Sequence, residues 1–213
     1  MLTTIIAATA FAVPVPSAEW DLKTPYEADK TYEYLVEIDI DDEATGFQAL
    51  VTLESVMTIS KAVDDGFEVQ LKWLDMEVEG DYQDDSEFTA ELSTSGLITK
   101  MEDDEGVDYR SMFVSFMFVY PNKTVSVGDK WSYEEKDDEI KVLLEAVAEE
   151  TVRGTKTLKV RAKITEGENG MTCTGDYWLT ADGELLKYEL DLKNWFVPMV
   201  GMAFDAKVTA KKA

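Results

Sequence analysis

A chain of 213 residues with 45% hydrophobic content, nine Phe, nine Tyr and five Trp is long and apolar enough to build its own core, which excludes a disordered chain. Its net charge of −24, from 44 acidic and 20 basic residues, repels phosphate backbones, so no nucleic-acid partner is expected. With no histidine and a single cysteine, Cys173, it has no Ser-His or Cys-His pair, no intramolecular disulfide and few ways to hold zinc.

Residues 1–18 carry no charge, and Met1 to Val13 are apolar or small. Pro16-Ser17-Ala18 precedes the first acid, Glu19, so the stretch reads as a secretory signal cleaved near Ala18. It is too short to span a membrane, and no other stretch is apolar enough, so the protein is not expected to be membrane-spanning. From Lys30 the pattern has period two. Tyr32, Tyr34, Val36, Ile38 and Ile40 share one face, and Glu33, Glu37 and Asp39 the other. After a turn at Asp41–Gly46, the residues Phe47, Ala49, Val51, Leu53, Met57 and Ile59 alternate in the same way. Asp64-Asp65-Gly66 marks a hairpin. The next inner face, Phe67, Val69, Leu71 and Trp73, switches parity to Leu74, Met76 and Val78, which predicts a β-bulge near Leu74-Asp75. Phe88, Ala90 and Leu92 give a further strand, and Leu97 to Glu102 another.

Tyr109, Met112, Phe113, Phe116, Met117 and Tyr120 then fall at helical spacing, and Val114, Phe118 and Val119 lie off that stripe. The spacing predicts an enclosed apolar helix over about 107–119. Pro121 stops it, Val125 and Val127 suggest a short strand, Gly128-Asp129 a turn, and Trp131 opens the next strand. Residues 140–152 favour helix by composition. They nevertheless read as strand, because Val51-Thr-Leu-Glu-Ser-Val56 lies over Val142-Leu-Leu-Glu-Ala-Val147, and Phe67–Trp73 over Leu158–Ile164 at the same offset. Ser95–Lys100 resembles Asp182–Lys187, and Asp29-Lys30 resembles Asp129-Lys130. Two pseudo-repeats, about 29–102 and 129–210, follow from this order, joined by the helix and the 121–131 segment. Met171, Cys173, Tyr177 and Leu179 share a face, with a bulge expected at Gly175. Leu185–Lys193 is a strand, Asn194–Gly201 a loop, and Met202 to Ala210 a final strand.

The expected fold is therefore mainly β: a strongly curved antiparallel sheet of about ten strands, a half-barrel or open barrel. The apolar helix packs in its concave face, and residues 19–213 form a single domain. Acidic clusters such as Asp39/Asp41/Asp42/Glu43 do not fit a calcium loop, since Ala44 and Leu50 stand where Gly and Glu are required. Neither a nucleophile elbow nor a phosphate-cradling glycine loop is present, so neither enzymatic activity nor a cofactor is expected. Two Met/aromatic clusters stand out. Met112, Phe113, Phe116, Met117 and Phe118 come from the helix, and Trp195, Phe196, Met199, Met202 and Phe204 from the last loop and strand. Such side chains suit a wall around an apolar small molecule or lipid, and suit a filled core equally.

Pro121-Asn-Lys-Thr-Val-Ser-Val-Gly-Asp-Lys-Trp131 is similar to a P-N/D-K-x-V-x-V-G-D-x-W segment of uncharacterised bacterial secreted proteins. With the repeated strands, the exported start and the apolar helix, the chain resembles the periplasmic lipoprotein-carrier superfamily. That resemblance implies a half-barrel closed over a hydrophobic cavity. The N-terminal helix of those carriers is not evident here. The resulting expectation is an exported, periplasmic or extracellular, non-enzymatic protein that holds a lipid or acyl chain in the concave face. The alternatives are a cell-envelope interaction module with a filled core and an envelope protein as partner, and, third, a carboxylate-based hydrolase.

Overall fold

The computed structural model describes residues 18–102, 107–135, 139–167, 170–198 and 200–213. The signal expected over 1–18 falls almost wholly outside them, as does Met199. In chain order the strands are β1 (Trp20–Leu22), β2 (Thr31–Asp42), β3 (Phe47–Val63), β4 (Gly66–Val78), β5 (Asp81–Tyr82), β6 (Ser86–Ser93) and β7 (Ile98–Glu102). They continue with β8 (Lys123–Val125), β9 (Lys130–Glu135), β10 (Ile140–Val152), β11 (Thr155–Glu166), β12 (Thr172–Leu179), β13 (Leu185–Val197) and β14 (Met202–Lys212).

Twelve strands form one antiparallel sheet in the order β7-β6-β4-β3-β2-β14-β13-β12-β11-β10-β9, with β5 beside β4. The sheet is open: β7 and β9 are its edges, and β1 pairs with β8 separately. Two meanders, β2 to β7 and β9 to β14, meet where the last strand pairs with the first long one, Val208 opposite Ile38. The chain leaves the sheet at one edge and re-enters at the other. Ten inter-strand steps of about 4.8 Å separate the two. The connection cannot run outside without leaving the inner face of the sheet in water, so it crosses that face.

The alternation in the sequence explains the strands. In β2 the buried residues are Tyr32, Val36, Ile38 and Ile40, and in β11 they include Leu158, Val160, Ala162 and Ile164. Residues 140–152 are strand, as the internal comparison requires: Leu144 pairs with Ala162, and a cross-strand partner overrides helix propensity. The bulge expected near Leu74-Asp75 is present. Leu74 pairs with Glu54 and Glu77 with Thr52, so Asp75 and Met76 together face Leu53.

Three expectations are corrected. No helix spans 107–119. A single α-helical turn, α1 (Arg110–Phe113), is followed by a 3-10 turn at Val114–Phe116, and the chain is extended from Met117. Gly175 is no bulge: it pairs in register with Ala162 and Leu190. A Cβ there would come within 2.2 Å of the Glu189 carbonyl oxygen, so glycine serves a close approach of strands. The loop at 194–201 shrinks to a tight turn, because β13 runs on to Val197 and pairs with Met202.

Two turns on one rim share a construction. In the first, Ser93 N–H donates to the Leu97 carbonyl, Gly96 N–H to the Ser93 carbonyl, and Leu97 N–H to Ser93 Oγ. In the second, Thr180, Gly183 and Glu184 make the same three bonds. Gly96 and Gly183 both have positive φ, +87° and +84°, and both lie against the Tyr120 ring. A Cβ on Gly183 would also meet the Lys23 carbonyl oxygen at 2.5 Å. Gly154 has φ +82° with open space around it. Gly154→Ala should therefore cost about 1–2 kcal/mol, the backbone term alone. Gly183→Ala should cost clearly more in urea denaturation because Lys23 must also move.

Candidate functional site

The segment that crosses the inner face brings the first Met/aromatic cluster onto the sheet. It is tied to β7 by Tyr109 N–H donating to the Met101 carbonyl, 2.9 Å. Its aromatic side chains then meet successive strands. Phe113 packs on Trp73 of β4 and Phe88 of β6, at 4.9 and 5.1 Å between ring centres. Phe116 meets Trp195 and Tyr188 of β13, and Phe118 meets Tyr177 of β12 and Trp131 of β9.

A non-helical backbone in an apolar interior must find partners for its carbonyls. The sheet supplies them from the polar tips of its aromatic residues. Trp195 Nε1–H donates to the Met112 carbonyl at 3.0 Å. The Tyr177 hydroxyl donates to the Ser115 carbonyl at 2.6 Å. Trp131 Nε1–H donates to the Val119 carbonyl at 3.1 Å. Ser115 Oγ itself is buried without a partner.

The Pro121–Trp131 segment proves architectural. Asn122 Oδ1 accepts from the N–H and hydroxyl of Thr24, and its Nδ2 donates to the Thr94 carbonyl. Asp129 Oδ2 accepts from Ser126 N–H, and the turn docks on β10 through Gly128 N–H to the Ala146 carbonyl. Each polar residue of the motif that bonds here does so to hold the crossing in place.

Packing leaves one cavity of about 50 Å³ under the crossing segment. Phe113, Phe116, Met117 and Phe118 line it from the segment, and Tyr32, Tyr34, Met57 and Leu71 from the first meander. Tyr26, Tyr120, Leu185 and Tyr188 complete the wall. Four of the ten residues singled out in the sequence therefore border the cavity. Met112, Trp195 and Phe204 are buried in the surrounding core. Phe196 (45% exposed) and Met202 (42% exposed) point away, at the tip of the β13–β14 hairpin with Val200.

The sequence does not group the tyrosines, because they come from four places in the chain. The available signal was Tyr32 and Tyr34 on the inward face of β2. Tyr32 OH donates to the Pro25 carbonyl, 2.5 Å, and Tyr34 OH to the Leu185 carbonyl, 3.1 Å. Tyr26, Tyr120 and Tyr188 join them in the wall. Burial pushes all of these phenols above the ordinary tyrosine range. For Tyr120 the neighbouring Tyr26, Tyr34, Tyr32 and Glu184 add to the effect. Glu184 is itself paired with Lys212, 2.5 Å. Cys173 is fully buried, and burial pushes its thiol up to about 12.

Acidic side chains at the β2–β3 and β13–β14 hairpins serve local structure. Asp42 accepts from Thr45, Asp41 from Gln48, and Asp205 from Lys193 and Asn194. Among the described residues no group of three or more carboxylate or thiol side chains is placed to hold a metal ion, and no helix is long and apolar enough to cross a membrane.

Two outcomes test this geometry. Trp195→Phe should leave the Met112 carbonyl buried and unpaired and cost about 1–3 kcal/mol in urea denaturation, whereas Phe196→Ser at the exposed tip should shift stability by no more than about 0.5 kcal/mol. Stability that depends on neutral phenols should be fully present below about pH 10, the unfolded-chain value. It should fall as pH rises further, since the unfolded chain then loses protons that the folded chain keeps; thermal melts from pH 8 to 11 read this directly.

No family model matches the chain, and no curated protein matches it. Solved structures do. One is a Bacteroides fragilis protein considered exported, with a YmcC-like fold; it is 12% identical, with 90% of this chain and 97% of that one covered, at a TM-score of 0.33. Another is a Parabacteroides distasonis protein considered a lipoprotein; it is 13% identical, with 91% and 100% covered, at a TM-score of 0.36. At that distance, function has to be argued from this chain's own geometry.

Proposed function

We propose that this is an exported, non-enzymatic protein that binds an apolar molecule on the inner face of its sheet, at the cavity beneath Phe113, Phe116, Met117 and Phe118. The carrying observation is the cavity itself. It lies where the two meanders and the crossing segment meet, and its walls are mostly aromatic, Met and Leu side chains, with Pro25 and Ser55 among them. Such walls bind by removing apolar surface from water and adapt through methionine. At about 50 Å³ the space is a third of the roughly 150 Å³ that admits benzene. It takes a small molecule or the end of a chain as it stands. A whole acyl chain requires Phe116 to swing out; Phe116 is only partly buried, unlike Phe113 and Phe118. The export reading rests on the uncharged residues 1–18.

Native mass spectrometry of the purified protein with methyl laurate tests the binding reading. The expected result is a one-to-one adduct, lost in Ser55→Leu, which fills the cavity from β3. If no adduct forms with the wild-type chain, the reading falls. A second reading, an envelope interaction module, is favoured by the exposed apolar tip formed by Phe196, Val200 and Met202. It expects a protein partner that Val200→Ser releases.

A further inference from the structure

An open sheet leaves two edges, and here they differ. The edge at β7 is occupied: the Met101 carbonyl accepts from Tyr109 N–H, and α1 packs beside the strand. At β9, among the described residues, no backbone hydrogen bond from outside the sheet reaches the strand. Its backbone pairs with β10 alone, so part of its N–H and carbonyl groups face away from the sheet in a row. No proline lies in β9, and its register with β10 runs without a bulge. Those devices, which would blunt an edge, are missing.

The side chains of β9 are complementary to themselves. The strand reads Lys130-Trp-Ser-Tyr-Glu-Glu135. Laid antiparallel on a second copy about Ser132, it sets Lys130 opposite Glu134 and Trp131 opposite Tyr133. Residues directly opposite share a face, and these do. Lys130, Ser132 and Glu134 are exposed on the outer face, and Trp131 and Tyr133 are half-buried on the inner one. A shift of register by one residue would join the inner face of one copy to the outer face of the other.

The same register prolongs a charge pattern already present across the second meander. Asp176, Arg161, Glu145 and Lys130 stand side by side on β12, β11, β10 and β9. Arg161 meets Asp176 at 3.0 Å, and Lys130 meets Glu145 at 3.2 Å. Glu134 and Lys141 of a second copy, 3.4 Å apart within that copy, continue the row with alternating sign. By symmetry the row occurs twice. Between the two, Ser132 faces its own copy, flanked on β10 by Leu143, which is 54% exposed.

We infer that β9 is a self-association edge, through which two copies of this chain pair antiparallel about Ser132 and join their sheets into one. This is independent of the ligand reading above. Six residues a side make a small interface, so the dimer is weak and depends on concentration. The net charge of −24 on each copy opposes approach, but at physiological salt it is screened beyond about 8 Å, whereas the cross-strand pairs act in contact.

Sedimentation equilibrium of the full chain at physiological salt, over a series up to about 1 mM, tests this. The expected result is a dimer that grows with concentration. Lys130→Glu and Glu134→Lys, each first checked for a wild-type circular dichroism spectrum, should weaken it about tenfold, since two like-charge pairs replace two opposite ones. The double variant, Lys130→Glu with Glu134→Lys, should restore it. Ser132→Cys reads the register directly. Opposed Cα atoms lie about 4.5–5.5 Å apart, within disulfide reach, so mild oxidation should give a covalent dimer. The native thiol, Cys173, is buried and does not compete. If the chain stays monomeric throughout, if the dimer survives both charge reversals unchanged, if the double variant fails to restore it, or if Ser132→Cys does not cross-link, the inference is overturned.

Discussion

The structure depends on how a polar backbone is carried across an apolar face. The first meander ends at one edge of the sheet and the second begins at the other, so the chain between them must cross the interior. A helix would satisfy its own carbonyls but would be too short to cross, at 1.5 Å per residue. Two short turns followed by extended chain cover the distance and leave carbonyls needing donors. The indoles of Trp195 and Trp131 and the phenol of Tyr177 provide them. Tryptophan and tyrosine suit this task because each buries a large apolar body and carries one donor at its end.

That solution shapes the rest of the molecule. The crossing segment packs its aromatic rings against both meanders. Where the segment changes from a 3-10 turn to extended chain, near Phe116 and Met117, side chains no longer project at a regular interval and the fill is incomplete. The cavity lies there. At the rim the same segment is fixed by the two matched turns at Gly96 and Gly183, which hold Tyr120 between them. The anchoring residues and the cavity wall are therefore parts of one piece of chain.

Much of this was legible in the sequence. Period-two alternation located the strands of both meanders, and the parity switch at Leu74 located a bulge. The internal likeness of Val51–Val56 and Val142–Val147 identified residues 140–152 as strand against their helix propensity. The helix over 107–119 was misread for a specific reason. A segment enclosed on all sides is apolar at nearly every position, so helical spacing can be found in it whatever its conformation. The same enclosure brought Phe113, Phe116, Met117 and Phe118 to the cavity. In the second cluster Trp195 and Phe204 turned inward, Phe196, one residue out of phase, turned out, and Met202, in phase with Phe204, is exposed because it sits at the end of the hairpin.

By itself the sequence determined the class of fold, the inward face of nearly every strand and the acidic exterior, because these follow from local alternation and composition. Tertiary structure alone decided which strands are neighbours, that the linker is two short turns and an extended stretch, and that tyrosines from four separate places share one cavity. Those outcomes depend on pairing across long separations, such as Val208 with Ile38, and on carbonyl groups that every residue carries and no side-chain pattern reveals.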